Sequence, residues 1–121
     1  MESCPSDWHL PSKAEFETLI NAVGGHSVGG KILKSSSGWD NAIYGVCCNG
    51  VDSYGFSALP AGLRWWNSGF GHFSDFAIFW SSTVNDSGGV YILRLDHSAD
   101  NAELTYNTIK SYGFSVRCVQ D

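Results

Sequence analysis

The stretch from Phe79 to Arg94, FWSSTVNDSGGVYILR, constrains this chain more than any other. The aromatic pair Phe79-Trp80 runs into the hydroxyl cluster Ser81-Ser82-Thr83. A polar turn, Val84-Asn85-Asp86-Ser87-Gly88-Gly89, then leads to Val90-Tyr91-Ile92-Leu93-Arg94-Leu95. Two β-favouring runs around an Asn/Asp/Gly connection predict neighbouring antiparallel strands. The same texture continues towards the C-terminus. Strands are expected near residues 54–59, 62–66, 78–82, 90–95, 102–107 and 114–119, with a long glycine-bearing, aromatic loop over 67–77.

The N-terminal part reads differently. Ser12 and Glu15 form a capping-box pattern. Ala14, Phe16, Leu19, Ile20 and Val23 then share one helical face, and Gly24-Gly25 supplies the stop, so a helix is expected over 13–23. A shorter helix over 27–34 points Val28, Ile32 and Leu33 inward, although Gly29-Gly30 weakens it by roughly 1 kcal/mol per glycine. Residues 35–53 read as a loop with Trp39 as a buried plug. The pentapeptide Ser53-Tyr54-Gly55-Phe56-Ser57 recurs as Ser111-Tyr112-Gly113-Phe114-Ser115. This predicts two similar strand starts, each with its Phe packed inward through a kink.

At 121 residues the chain is long enough for one core, so a single domain over 1–121 is expected. Aromatics are 14% of the residues, more than one small core consumes, which predicts rings facing solvent or a ligand. A net charge of −5 with only 7 Lys plus Arg argues against nucleic acid as a partner. No apolar run of ~18 residues predicts membrane insertion, and no basic-then-apolar leader is visible at the N-terminus. The four cysteines, Cys4, Cys47, Cys48 and Cys118, are compatible with an oxidising compartment. Cys4 and Cys118 are either bonded, closing a loop of about 115 residues, or two buried thiols. Vicinal Cys47-Cys48 lack the companion spacing of a zinc site.

Five ordered segments carry a family resemblance: CPSDWHLPSKAEFETL, GGKILKSSSGW, DSYGFSALPAGLR, FWSST and KSYGFSVRCV. With these the chain resembles the bacterial Fibrobacter-succinogenes-type major paralogous domain, grouped with the C-type-lectin-like folds that include formylglycine-generating enzymes. The resemblance implies an α+β, C-type-lectin-like fold, with one or two helices packed on a twisted antiparallel sheet. It also implies termini paired at one end, which would bring Cys4 near Cys118, and a bacterial cell-surface or extracellular setting. Relatives carry an extended aromatic-rich segment before the Cys-Pro motif; either the sequence is trimmed ahead of that motif, or the missing strand leaves a sheet edge that another chain could cover.

Three classes of function follow. Catalysis is not expected. The adjacent Cys47-Cys48 does not match the copper-binding cysteine pair of the formylglycine-generating relatives, no nucleophile elbow accompanies the serines and histidines, and no cofactor is implied. A calcium lectin is the second class, since Asn85-Asp86 looks like the Asn-Asp pair that calcium-dependent lectins use, but Val84 stands where they have Trp and the Glu-Pro-Asn triplet is missing. The third class is a non-catalytic ligand-binding or display module for a protein or a glycan. Its surface combines rigid aromatics with small polar side chains, a paratope-like mixture. The residues expected there are Trp65, Trp66, His72, Phe73, Phe76 and Phe79, then Ile92, His97, Leu104, Thr105, Tyr106, Asn107, Thr108 and Ile109. Trp66 and Phe73 in particular are expected to be needed for binding and dispensable for folding.

The resemblance adds a specific form of this class. C-type-lectin-like domains are a display scaffold of diversity-generating retroelements, in which adenine-directed mutation varies such residues. Most of the types here are reachable from AAY codons, whereas Trp65, Trp66 and Glu103 are not. The alternative is a fixed carbohydrate-binding or structural module of a multidomain bacterial surface protein.

Overall fold

The computed structural model describes residues 3–40, 48–67, 69–107 and 111–121. Its centre is a three-stranded antiparallel sheet in the order β4-β5-β6, with β4 at Phe76–Val84, β5 at Val90–Asp96 and β6 at Ala102–Asn107. Before it in the chain come β1 (Trp8–His9), α1 (Lys13–Ala22), α2 (His26–Leu33), β2 (Leu63–Arg64) and β3 (Phe70–Gly71); β7 (Val119–Gln120) follows. The class is α+β, with two helices and antiparallel sheets among the described residues.

Strand alternation divides the sheet into two faces. Phe79 pairs with Leu93 and Leu93 with Leu104, while Ala77 pairs with Leu95 and Leu95 with Ala102. These side chains meet Phe16 and Ile20 of α1 and Leu33 of α2 in the helix-side core, which Trp39 and Cys48 complete. Ile78, Trp80, Val90 and Ile92 point the other way. They are covered by Leu10, Leu63, Phe76 and Phe114. Because one face is covered and the other is covered in part, the central strands read as near-continuous apolar runs, not as alternating ones.

Helix α1 begins as its sequence dictates. The Ser12 hydroxyl accepts from the Glu15 amide, and the Glu15 carboxylate accepts from the Ser12 amide, each at 3.1 Å. Its far end is Val23, followed by Gly24 and Gly25 at φ +113° and +101°. The hydroxyl cluster of β4 has a local task. Ser81 Oγ accepts from the Thr83 amide at 3.2 Å across a register shift in the strand, and Thr83 Oγ1 accepts from the Lys13 amide at 2.9 Å. An irregularity in the strand thereby caps the helix.

The termini are joined. Cys4 and Cys118 form a disulfide, β1 pairs with β7 through Trp8↔Gln120 and His9↔Val119, and the Asp121 amide donates to the Asp7 carbonyl. Buried Lys34 pins the β5–β6 turn, its Nζ donating to the Asp96 and Ala99 carbonyls at 2.9 Å. Trp39 Nε1 donates to Ser35 Oγ, so this plug keeps its polar end satisfied.

Several strands depart from the sequence reading. Residues 54–59 form a turn, held where the Asp52 carboxylate accepts from the amide and hydroxyl of Ser57; only Ala58 makes a bridge, to Lys34. The strand expected over 62–66 shrinks to Leu63–Arg64, and its partner Phe70–Gly71 lies in the expected loop. The strand expected over 114–119 becomes single bridges at Gly113 and Ser115, followed by β7. Two-residue ladders have no periodic signature, so only tertiary pairing creates them. The repeated pentapeptide forms no pair of equivalent strands. Phe56 packs edge-on against Phe79, centroids 6.1 Å apart, and Phe114 packs on Trp80 at 4.5 Å. The two copies therefore cover opposite faces of β4.

Candidate functional site

The face of the sheet turned away from the helices is only partly covered, and the uncovered part is a groove of about 460 Å³. Its floor is Ile78, Ile92, Arg94 and Thr105, which strand pairing places side by side: Ile78 opposite Arg94, and Ile92 opposite Thr105. Its wall is the β2–β3 hairpin with the turn after it, joined through the Arg64–Gly113 backbone pair to the segment of Tyr112 and Phe114; together they supply Leu63, Trp65, His72, Tyr112 and Phe114, beside Phe76 at the start of β4. Asn107 and Tyr106 close one end.

The wall forms a chain of ring contacts. Phe76 meets His72 at 5.0 Å, His72 meets Trp65 at 5.2 Å, Trp65 meets Tyr112 at 6.0 Å, and Tyr112 stacks on Phe114 at 6.0 Å. Edge-to-face packing of this kind fixes each ring against the next. The hairpin that carries Trp65 is closed by its own backbone, the Trp65 amide donating to the Gly69 carbonyl at 2.6 Å. A side chain at Gly71 would place its Cβ 2.9 Å from Trp65 Nε1, so this glycine makes room for the indole.

Polar groups are sparse. The Arg94 guanidinium lies over the Phe76 ring at 4.5 Å and reaches Asp96 Oδ2 at 3.5 Å. His72 Nδ1 is 3.3 Å from Asp75 Oδ2. Among the described residues, Trp65 Nε1, Thr105 Oγ1 and Tyr112 Oη have no hydrogen-bond partner in the protein. Rigid aromatic walls carrying a few polar atoms are what a binding groove requires.

The structure brings Trp65, His72, Phe76, Ile92, Thr105 and Asn107 of the expected set together in this groove. Tyr106 borders it, but its ring packs on Tyr91 at 6.1 Å, on the face the alternation assigns to Leu93 and Leu104. Trp66 and Phe73 lie outside the groove and are 65% and 62% exposed. Phe79 corrects its expectation: at 5% exposure it belongs to the helix-side core, and Leu104 packs against that core as well. The physical reason is parity, since a residue one step along a strand from Ile78 or Trp80 faces the opposite way. His97 sits in the β5–β6 turn, its Nδ1 3.4 Å from the Asp40 carbonyl, and does not line the groove. Thr108, Ile109 and Cys47 lie outside the described residues.

The calcium candidates resolve into a turn. Asn85 Oδ1 accepts from the Ser87 amide, the Ser87 hydroxyl and the Gly89 amide at 2.8–3.1 Å. This is the side-chain-to-backbone pattern for which Asn is favoured in turns. Among the described residues no group of three or more His, Cys, Asp or Glu side chains is arranged to hold a metal. No helix is long and apolar enough to cross a membrane, again among the described residues.

Leu63, Ile78, Arg94, Tyr112 and Phe114 also line the groove without having been singled out for it. Two signals point to them. Ile92 and Arg94 are two apart in one strand, hence on one face, and the second copy of the Tyr-Gly-Phe repeat holds Tyr112 and Phe114.

No curated protein and no solved structure matches this chain. The family model described as the Fibrobacter succinogenes major domain does match, over residues 1–120. That span takes in both helices, the central sheet and the groove, and the chain belongs to this family.

Proposed function

We propose that this is a non-catalytic ligand-binding domain of C-type-lectin-like architecture, which holds a protein or glycan ligand in the groove between the central sheet and the wall built by the β2–β3 hairpin with Tyr112-Phe114. One observation carries the reading: residues far apart in sequence converge on one aromatic-walled groove whose indole, hydroxyl and phenol groups have no partner among the described residues. Binding needs only such a preformed surface, whereas catalysis needs a positioned nucleophile or acid–base pair. The Cys4–Cys118 bond fits the extracellular or cell-surface setting, because disulfides persist in oxidising compartments.

The test is a screen of glycan and protein arrays with the full chain, with and without calcium, followed by two substitutions. Trp65→Ala removes part of the wall, and Thr105→Trp fills the floor. Each is expected to abolish binding of any hit while the folded fraction at the assay temperature stays unchanged, with no dependence on calcium. Trp66→Ala and Phe73→Ala, peripheral to the groove, are expected to weaken a large protein ligand only. Hits unaffected by Trp65→Ala and Thr105→Trp would overturn the reading. Diversification of the groove by a retroelement belongs to the same proposal, and the flanking DNA tests it. A near-copy of the codons for residues 63–109, differing only at adenines, is the expected finding. Its absence makes the domain a fixed surface module.

A further inference from the structure

We infer that the groove accepts a ring-bearing carboxylate, a sugar acid of the uronic type, with Arg94 as the group that holds the carboxylate. This rests on the groove reading above and names its ligand class.

Among the described residues, Arg94 is the only Lys or Arg that lines the groove. Its head is oriented in advance by the Phe76 ring, 4.5 Å from the guanidinium carbon, and its side chain remains 37% exposed. A planar fork of donors held against an aromatic ring presents its free edge with little further loss of side-chain freedom. Its one ion-pair contact among the described residues is a long one, 3.5 Å to Asp96 Oδ2. Asp96 is meanwhile committed to its own turn, where Oδ1 accepts from the Ser98 amide and hydroxyl at 2.8 Å. Glu103 lies directly across the strand pair from Arg94, yet no ion pair closes between them. Most of the guanidinium donors are therefore left for something in the groove.

The charge balance selects the anion. One guanidinium can meet a single carboxylate through two parallel hydrogen bonds, and Asp96 and Glu103 beside it count against an anion of higher charge. A doubly charged phosphate calls for more cationic groups than the described lining of the groove supplies. The remainder of the groove describes the body of the ligand. Ile78, Ile92, Trp65 and Tyr112 offer apolar contact to a ring, while the indole N–H, the Tyr112 phenol and the Thr105 hydroxyl can meet ring hydroxyls. About 460 Å³ lies near the lower end of small-molecule sites, enough for one or two sugar rings and too little for a packed helix.

The test is calorimetric titration of the full chain with galacturonic acid and its short oligomers, against galactose and the matching neutral oligomers. Acidic sugars are expected to bind at least roughly tenfold more tightly than neutral ones, the worth of a charged hydrogen-bonded contact. Arg94→Gln should erase that preference at an unchanged far-UV spectrum, and Arg94→Lys should restore only part of it. Glu103→Gln should strengthen acidic binding by removing a competing carboxylate. Oligomers binding more tightly than the free acid would identify a glycan as the source; equal binding would identify the free sugar acid. Equal affinity for neutral and acidic sugars, lost in Trp65→Ala, overturns the Arg94 assignment and leaves the groove reading standing. Sugar binding that persists in Trp65→Ala overturns both. Binding of neither sugar class overturns this inference alone.

Discussion

His9 stands between two carboxylates. Its Nε2 lies 2.8 Å from Glu15 Oε2 at the start of α1, and its Nδ1 lies 2.6 Å from Asp121 Oδ1 beyond β7. The hydrogen bond to Glu15, then the one to Asp121, raises the imidazole above its ordinary 6.5. The His9 hydrogen bond, followed by the Ser12 amide, holds Glu15 below its ordinary 4.5. The two shifts act in opposite directions on pH. A raised histidine contributes stability that is complete below 6.5 and is lost as pH climbs through the raised value. A depressed glutamate contributes stability that is complete above 4.5 and is lost as pH falls through the lowered value. The clasp is therefore strongest between pH 4.5 and 6.5. In a series of thermal melts across pH, the wild type should lose stability on the alkaline side, and His9→Gln should lack that limb. An identical alkaline slope in the variant would remove His9 from the account.

At the scale of elements, α2 shows why a poor helix sequence can be a good docking sequence. Gly29 and Gly30 weaken the isolated helix, yet both are buried, and they let its backbone come down on the turn and strand that follow β5. A Cβ on Gly30 would lie 2.2 Å from the Asn101 carbonyl oxygen, a backbone atom that cannot swing aside. The Lys31 amide completes the junction by donating to the Asp100 carbonyl at 3.0 Å. Alanine at position 30 gains ~1 kcal/mol of helix propensity but costs about 1–3 kcal/mol or more in overpacking, so the packing penalty decides. Gly30→Ala is expected to lower the midpoint of urea unfolding. A stabilised variant would mean that α2 can move off β6.

For the whole molecule, the Cys4–Cys118 bond spans a separation of 114 residues, so it ties nearly the entire unfolded chain into one loop. Chain-entropy arguments give about 4–5 kcal/mol for a loop of this length, a large fraction of what a small domain has. Replacing both cysteines by serine should lower the unfolding free energy by roughly that amount. Because β1 and β7 pair through two residues each, the same substitution should also raise hydrogen exchange at Trp8 and Val119 before it does so in β5. Uniform exchange along the chain would show that the terminal ladder holds without the bond.

Local chemistry alone determined α1, whose cap, apolar face and glycine stop lie within a few residues of one another. It also placed the hairpin of β4 and β5, where two β-favouring runs flank an Asn/Gly turn, while the α+β class came with the family resemblance. The motifs led to the family. What the sequence left open was everything set by contacts between distant residues. The β1–β7 and β2–β3 ladders have no period to read, and parity along β4 decided that Phe79 went to the core while Ile78 went to the groove. The two Tyr-Gly-Phe copies are locally alike, yet Phe56 covers the helix side of β4 and Phe114 the groove side, because the segments that carry them approach the strand from opposite faces. An aromatic residue declares that it will be buried or will bind; which of the two depends on what the rest of the chain packs against it.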